Sequence, residues 1–146
     1  MASWAEFESQ QPDFAARVRK LMQSRKHLTM ATLRRDGSPR ISGTEVQFEE
    51  GELRIGSMPN AVKARDLLRD PRVAIHGPTT DPPEPDPGLW PGEAKIAGRA
   101  IERPSEGDGH SFVIDIDEAV ITSLGGGGLM VESWNPRRGY ERLVRE

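Results

Sequence analysis

HLTMATLRRDGSPRISGTEVQFEEGELRIGS, residues 27–57, carries the pattern that decides the fold. From His27 to Leu33, threonines interleaved with Leu28, Met30 and Leu33 suit a half-buried strand. Arg35-Asp36-Gly37-Ser38 then reads as a hairpin turn, because Asp-Gly supplies the positive φ that tight turns require. Pro39 to Phe48 resumes the strand, with Ile41, Gly43, Val46 and Phe48 among polar residues. Glu49-Glu50-Gly51 is a second tight turn, and Glu52 to Ser57 returns as a third strand. Three strands and two short turns predict an antiparallel meander.

Downstream, Met58-Pro59-Asn60 breaks the strand, and Asn60 is expected to cap a two-turn helix with Ala61, Ala64, Leu67 and Leu68 on its apolar side. Asp70-Pro71 ends that helix, since a residue before proline avoids the helical region. Val73 to His76 reads as a short buried strand. Residues 77–92 carry six of the twelve prolines, together with acids, Leu89 and Trp90, and read as a loop. Such a loop serves as a lid, as an arm onto a partner subunit, or as plain structural filler. Further strands are expected at Ala94 to Arg103, at Phe112 to Ile116 continuing through Val120 and Ile121, at Leu129 to Trp134 and at Tyr140 to Val144. Gly125 to Gly128 lacks the Walker lysine and the Rossmann spacing, and reads as a hairpin turn.

Upstream, Ser3-Trp4-Ala5-Glu6 has the spacing of a capping box and predicts a short helix from Trp4. Asp13 precedes a second helix with Phe14, Val18, Leu21 and Met22 on one face. Both helices, within residues 1–26, are expected to lie as a lid on the sheet. In total about six to eight strands and two or three helices are expected, with almost no βαβ alternation. The fold class is therefore mainly β, an antiparallel barrel with peripheral helices, formed by one domain over residues 1–146.

Composition narrows the function classes. Hydrophobic residues make up 35% and aromatics 5%, a lean core that suggests burial completed at an oligomer interface. A net charge of −3 with mixed signs lacks the basic stripe of a nucleic-acid binder. There is no cysteine, which excludes disulfides and thiolate metal sites. The N-terminus MASWAEFESQQ has neither the basic start nor the apolar stretch of a signal peptide, and no apolar run approaches the ~20 residues of a membrane span. A soluble, cytoplasmic protein is expected, with a small-molecule ligand rather than nucleic acid or membrane.

No catalytic motif emerges from spacing alone. His27, His76 and His110 stand apart without ligand spacing, so no metal site is expected. The serines lack a nucleophile elbow. One unit has chemical potential: Gly56-Ser57-Met58-Pro59-Asn60-Ala61-Val62-Lys63 ends a strand in a hydroxyl and opens a helix with a lysine in its first turn. Free amides, the helix dipole, Ser57 and Lys63 together suit a phosphate. A capped helix with a solvated lysine accounts for the same residues.

The order of these parts resembles the pyridoxamine 5′-phosphate oxidase-like superfamily, an FMN-binding split barrel, from His27 to the C-terminus. ATLRRDGSPR at 31–40, KARDLLRDPRVAI at 63–75 and VESWNP at 131–136 carry the resemblance. It implies a split β-barrel homodimer with flavin sites at the interface. It implies that Ser42, Gly43, Thr44 and Glu45 run past the flavin ring, and that Gly56 and Ser57 touch ring and phosphate. Lys63 stands at the phosphate-binding lysine, beside Val62, and Trp134 at a tryptophan near the cofactor. The sequence also departs from the family. Val62 replaces a frequent arginine, Ser42 and Gln47 stand where the true oxidase has Arg and Lys, and Val144 replaces the histidine after Arg142-Leu143. Those losses remove charge-assisted phosphate contacts and part of the substrate site. The resemblance therefore implies an FMN-binding oxidoreductase acting on a small substrate other than pyridoxamine phosphate. A deazaflavin-dependent reductase, with Arg40 or Arg65 meeting the coenzyme's acidic tail, is an alternative. A non-catalytic flavin binder and a scaffold without ligand are the others.

Overall fold

Turn chemistry sets the frame of the molecule, and a computed structural model describes it over all 146 residues, Met1 to Glu146. Asp36-Gly37 turns strand β1 (Leu28–Leu33) into β2 (Pro39–Thr44), with Gly37 at φ +86° and the Asp36 carboxylate accepting from the Ser38 amide at 2.9 Å. Glu50 and Gly51, at φ +53° and +75°, join β3 (Val46–Glu49) to β4 (Glu52–Ser57), the pair of positive angles that suits strand twist. Helix α1 (Trp4–Gln10), α2 (Pro12–Met22) and α3 (Val62–Arg69) accompany β5 (Arg72–His76), β6 (Glu93–Arg103), β7 (His110–Gly125), β8 (Gly128–Asn135) and β9 (Gly139–Arg145). Gly126 and Gly127, both at positive φ, form the turn between β7 and β8, as the glycine run predicts.

The strands form one antiparallel sheet in the order β2-β1-β5-β6-β7-β4-β3, with β8 and β9 continuing from the far half of β7. This corrects the expected meander. The stretch Pro39 to Phe48 is not one strand but two, broken at Glu45, which is one reason for nine strands where six to eight are expected. β2 pairs only with β1, and β3 only with β4, so that these two lie at opposite ends of the path. Through Glu45 alone the chain steps from one edge to the other. The barrel is closed there by covalent continuity rather than by a hydrogen-bonded ladder, which is the split.

β7 is the spine. Its first residues pair with β4, its last with β8, and β6 runs along its other side. The register shifts at Ala97/Gly98, leaving Asp117 unpaired in a bulge. A Cβ at Gly98 would collide with the Asp115 carbonyl oxygen, so the two strands approach there more closely than any side chain allows.

The helical lid forms as expected. Ser3 caps α1 by accepting from the Glu6 amide at 3.1 Å, while α2 begins two residues earlier than Asp13 suggests, with Pro12 inside its first turn. Trp4, Phe7, Phe14, Val18 and Met22 bury their side chains on the sheet. Phe7 packs on Trp134 at 4.6 Å between centroids and edge-on to Phe14 at 5.9 Å. Arg17 on α2 makes a two-pronged bond to the buried Glu132 carboxylate at 2.7 and 2.8 Å, and the Tyr140 hydroxyl donates to the same group at 2.6 Å. Those donors outweigh burial and hold Glu132 below the usual carboxylate range. No helix is long and apolar enough to cross a membrane.

Candidate functional site

The break at Glu45 opens a cleft of about 500 Å³ between the end of β2 and the β4–α3 connection. Gly43, Thr44 and Glu45 form one wall, Gly56 and Ser57 the other, and Lys63 closes one end, with His27, Gln47, Met58 and Ala61 completing the lining. That volume lies within the range of small-molecule sites. The Lys63 ammonium reaches across and donates to the Gly43 carbonyl at 2.8 Å, leaving two of its three donors for a ligand.

The start of α3 differs from expectation in a way that matters. Asn60 does not cap the helix. Pro59 and Asn60 occupy the central positions of a turn in which the Ala61 amide donates to the Met58 carbonyl at 3.2 Å, and Asn60 sits at φ +61°. Proline followed by a positive-φ residue is a type II turn, and Asn tolerates that position. Ala61 becomes the cap residue, and no side chain satisfies the first-turn amides. They remain as donors beside Lys63, where the dipole favours an anion.

Asp66 anchors this helix on the sheet. Its carboxylate, 2% exposed, accepts from Thr32 on β1 at 2.7 Å, from Arg40 on β2 at 2.7 Å and from Arg69 at 2.9 Å. Burial pushes its pKa up, but the bonds from Arg40, Thr32 and Arg69 pull harder and hold it below the ordinary 3.8. α3, and with it Lys63, is therefore fixed to β1 and to β2, the strand that presents Gly43 and Thr44.

Of the nine residues nominated from sequence, six line the cleft: Gly43, Thr44, Glu45, Gly56, Ser57 and Lys63. Ser42 is absent from the lining. Val62 turns its side chain to a separate cleft shared with five arginines. Trp134 departs most from the expectation. It is 0% exposed, packed on Phe7 beneath the helical lid, and does not line the cleft. A large ring on β8 buries more apolar area under the lid than it could at an open cleft. Met58 and Ala61 line the cleft as members of the Gly56–Lys63 unit, while His27 is a lining residue that the sequence did not single out for the site, since it merely precedes a strand and carries no local signal.

Residues 14–122 match the family described as pyridoxamine 5′-phosphate oxidase. The chain belongs to that family. No curated protein matches it. Among solved structures it is similar to a pyridoxamine 5′-phosphate oxidase-related, FMN-binding protein from Nostoc punctiforme PCC 73102, at 11% identity and a TM-score of 0.64 over 93% of this chain and 96% of that one. PhzG from Burkholderia lata 383, solved with tetrahydrophenazine-1-carboxylic acid, superposes at 10% identity and a TM-score of 0.62 over 92% and 87%. HutZ, a haem storage protein from Vibrio cholerae, does so at 15% and 0.55 over 73% and 89%. At these identities the likeness establishes the split-barrel fold of the family. Ligands differ among the three, so this chain's ligand has to be argued from its own cleft.

Proposed function

We propose that the cleft at the β2–β3 break binds a flavin, FMN first among them, and that the chain is a flavin-dependent oxidoreductase acting on a small substrate. The observation that carries this is the position of Lys63, whose ammonium faces the cleft beside the uncapped first turn of α3. Ammonium, free amides and the Ser57 hydroxyl on one cleft are a donor set for a phosphate monoester. The residues present thus fit the group, with one cation where the family often has more. Gly43 and Gly56 leave room for a flat ring against backbone: a Cβ at Gly43 would come only to 4.0 Å of its nearest neighbour, and at Gly56 to 3.6 Å.

A bound flavin would supply the hydride chemistry, and the chain would bind and orient it. His27, Glu45 and Lys63 are the titratable groups on the cleft wall. Glu45 is partly engaged with Lys26 at 3.5 Å, and Lys63 with a carbonyl. That scarcity of a free acid or base is the observation favouring a second reading, a flavin-binding protein without catalysis. A homodimer closing the cleft is part of the proposal, supported by apolar side chains left bare: Met58 on the cleft wall is 78% exposed, and Ile41 on the edge strand β2 is 75% exposed.

Titrating the apo-protein with FMN, followed by quenching of flavin fluorescence, tests the assignment. Lys63→Ala should weaken binding by about 1.5–3 kcal/mol, the range for a hydrogen bond to a charged group, or roughly 10- to 150-fold in Kd. An unchanged Kd would refute it. A parallel titration with a deazaflavin coenzyme decides which ring is preferred. Bleaching of the bound flavin by NAD(P)H separates the enzyme from the binder.

A further inference from the structure

On the other side of Val62 from Lys63 lies a second cleft, of about 490 Å³, lined by Arg34, Arg35, Arg40, Arg65 and Arg69 together with Asp36 and Asp66. Five guanidinium groups face two carboxylates, an excess of three positive charges in one cavity. Neither carboxylate is free to reduce that excess further. Asp66 is fully engaged with Thr32, Arg40 and Arg69. Asp36 accepts from the Ser38 amide and hydroxyl, which hold it ionised below its ordinary range.

The arginines divide into two kinds. Arg34 donates to the Pro39 carbonyl at 2.7 Å, Arg69 to the Leu33 carbonyl at 2.9 Å, and Arg40 through its Nε to Asp66. These bonds fix three guanidinium groups and use only part of their donors, five on each. Arg35 and Arg65 make no side-chain hydrogen bond or ion pair within the chain, and both are exposed. A single buried carboxylate needs two cations at most. Arg34 serves the hairpin through the Pro39 carbonyl, which leaves Arg35 and Arg65 unexplained by folding, and a basic cavity with fixed donors concentrates anions.

We propose that this cleft is an oxyanion site for a multiply charged phosphate group, distinct from the Lys63 cleft. Arginine suits phosphate because its planar fork donates two parallel bonds to two oxygens. Arg34, Arg40 and Arg69 form the fixed floor, and Arg35 and Arg65 close over the ligand. The same chemistry arises from two sources, a free small phosphate or the phosphate-bearing arm of a larger ligand that also enters the neighbouring cleft. The inference stands independently of the flavin reading, because it rests on a different cavity.

Isothermal titration of the whole chain with inorganic pyrophosphate at low ionic strength tests it. A saturable event that persists in Lys63→Ala is expected, weakening as salt is added. Arg35→Ala/Arg65→Ala should raise Kd at least tenfold and leave the fold intact, since neither side chain bonds to the rest of the chain. Lys63→Ala, and the charge-matched surface control Arg137→Ala/Arg145→Ala, should each leave Kd within about twofold. Absence of saturation, equal weakening by the surface control, or loss of binding in Lys63→Ala would each overturn the proposal. Competition between pyrophosphate and FMN that persists in Lys63→Ala would assign the site to the arm of a larger ligand, additive binding would assign it to a free anion, and competition lost in Lys63→Ala would place pyrophosphate in the Lys63 cleft and overturn the proposal.

Discussion

Asp66→Asn perturbs the joint between α3 and the sheet with almost no change in volume. In the wild type one carboxylate oxygen takes Arg40 and Thr32, and the other takes Arg69. The best placement of the amide keeps its oxygen toward Arg40 and Thr32 and points its NH2 group at Arg69, where donor meets donor. The Arg69 bond is lost, costing about 1.5 kcal/mol, the low end for a charged hydrogen bond because that side chain can turn to water. The Arg40 bond falls from charge-assisted to neutral, about 1 kcal/mol more. The expected loss is therefore about 2–3 kcal/mol. Asp66→Ala should cost about 4 kcal/mol, because the buried Thr32 hydroxyl then has no partner. Adding Thr32→Val to that variant should restore about 1 kcal/mol by removing the orphaned group.

Urea unfolding at fixed protein concentration, followed through the buried Trp4 and Trp134, reads these differences. With a slope of about 1–3 kcal/mol/M, the Asp66→Asn midpoint should fall by roughly 1–2 M at neutral pH without a change in slope. The pH dependence has a definite sign. Asp66 has a folded pKa below its ordinary 3.8, so its contribution is complete above that value and disappears as pH falls through the depressed one. Wild type and Asp66→Asn should converge there. A midpoint shift under about 0.3 M at pH 7 lies far below what two charged bonds predict and would refute this account of the joint. So would failure of Thr32→Val to help Asp66→Ala.

Other outcomes test the site and the frame. Trp134→Phe should leave the FMN Kd within about twofold while lowering stability, since the ring lies in the core and away from the cleft; a tenfold loss of affinity would return Trp134 to the cofactor site. Gly98→Ala should destabilise by about 1–3 kcal/mol or prevent folding, because the new methyl group meets the Asp115 backbone at the bulge; a wild-type denaturation midpoint would show that β6 and β7 separate freely there.

Trp134 and Lys63 show how unevenly the site can be read from sequence. Lys63 is legible because a strand end, a turn and a first helical turn follow one another within eight residues, and that order fixes where the ammonium stands. Trp134 is not. Its place depends on whether α1 and α2 cover β8, and that is decided by residues more than a hundred positions away. The Arg40–Asp66 bond and the Arg17–Glu132 bond have the same character, joining residues 26 and 115 positions apart. Nothing local in either partner announces the other.

The opening stretch, residues 27–57, contains the same division. Its turns are settled by two or three neighbouring residues, since positive φ at Gly37 and Gly51 is a local steric matter, and so the sequence by itself determined where the two hairpins turn. It did not determine which strands are neighbours. Pro39 to Phe48 interleaves Ile41, Gly43, Val46 and Phe48 with polar residues, but the phase slips by one at Glu45, where the chain breaks and sends its halves to opposite edges of the sheet. That choice follows from pairing β1 with β5 and β4 with β7, which buries Met30, Ile75, Ile55 and Phe112 in one core. Tertiary burial thus made the split, and the split made the cleft.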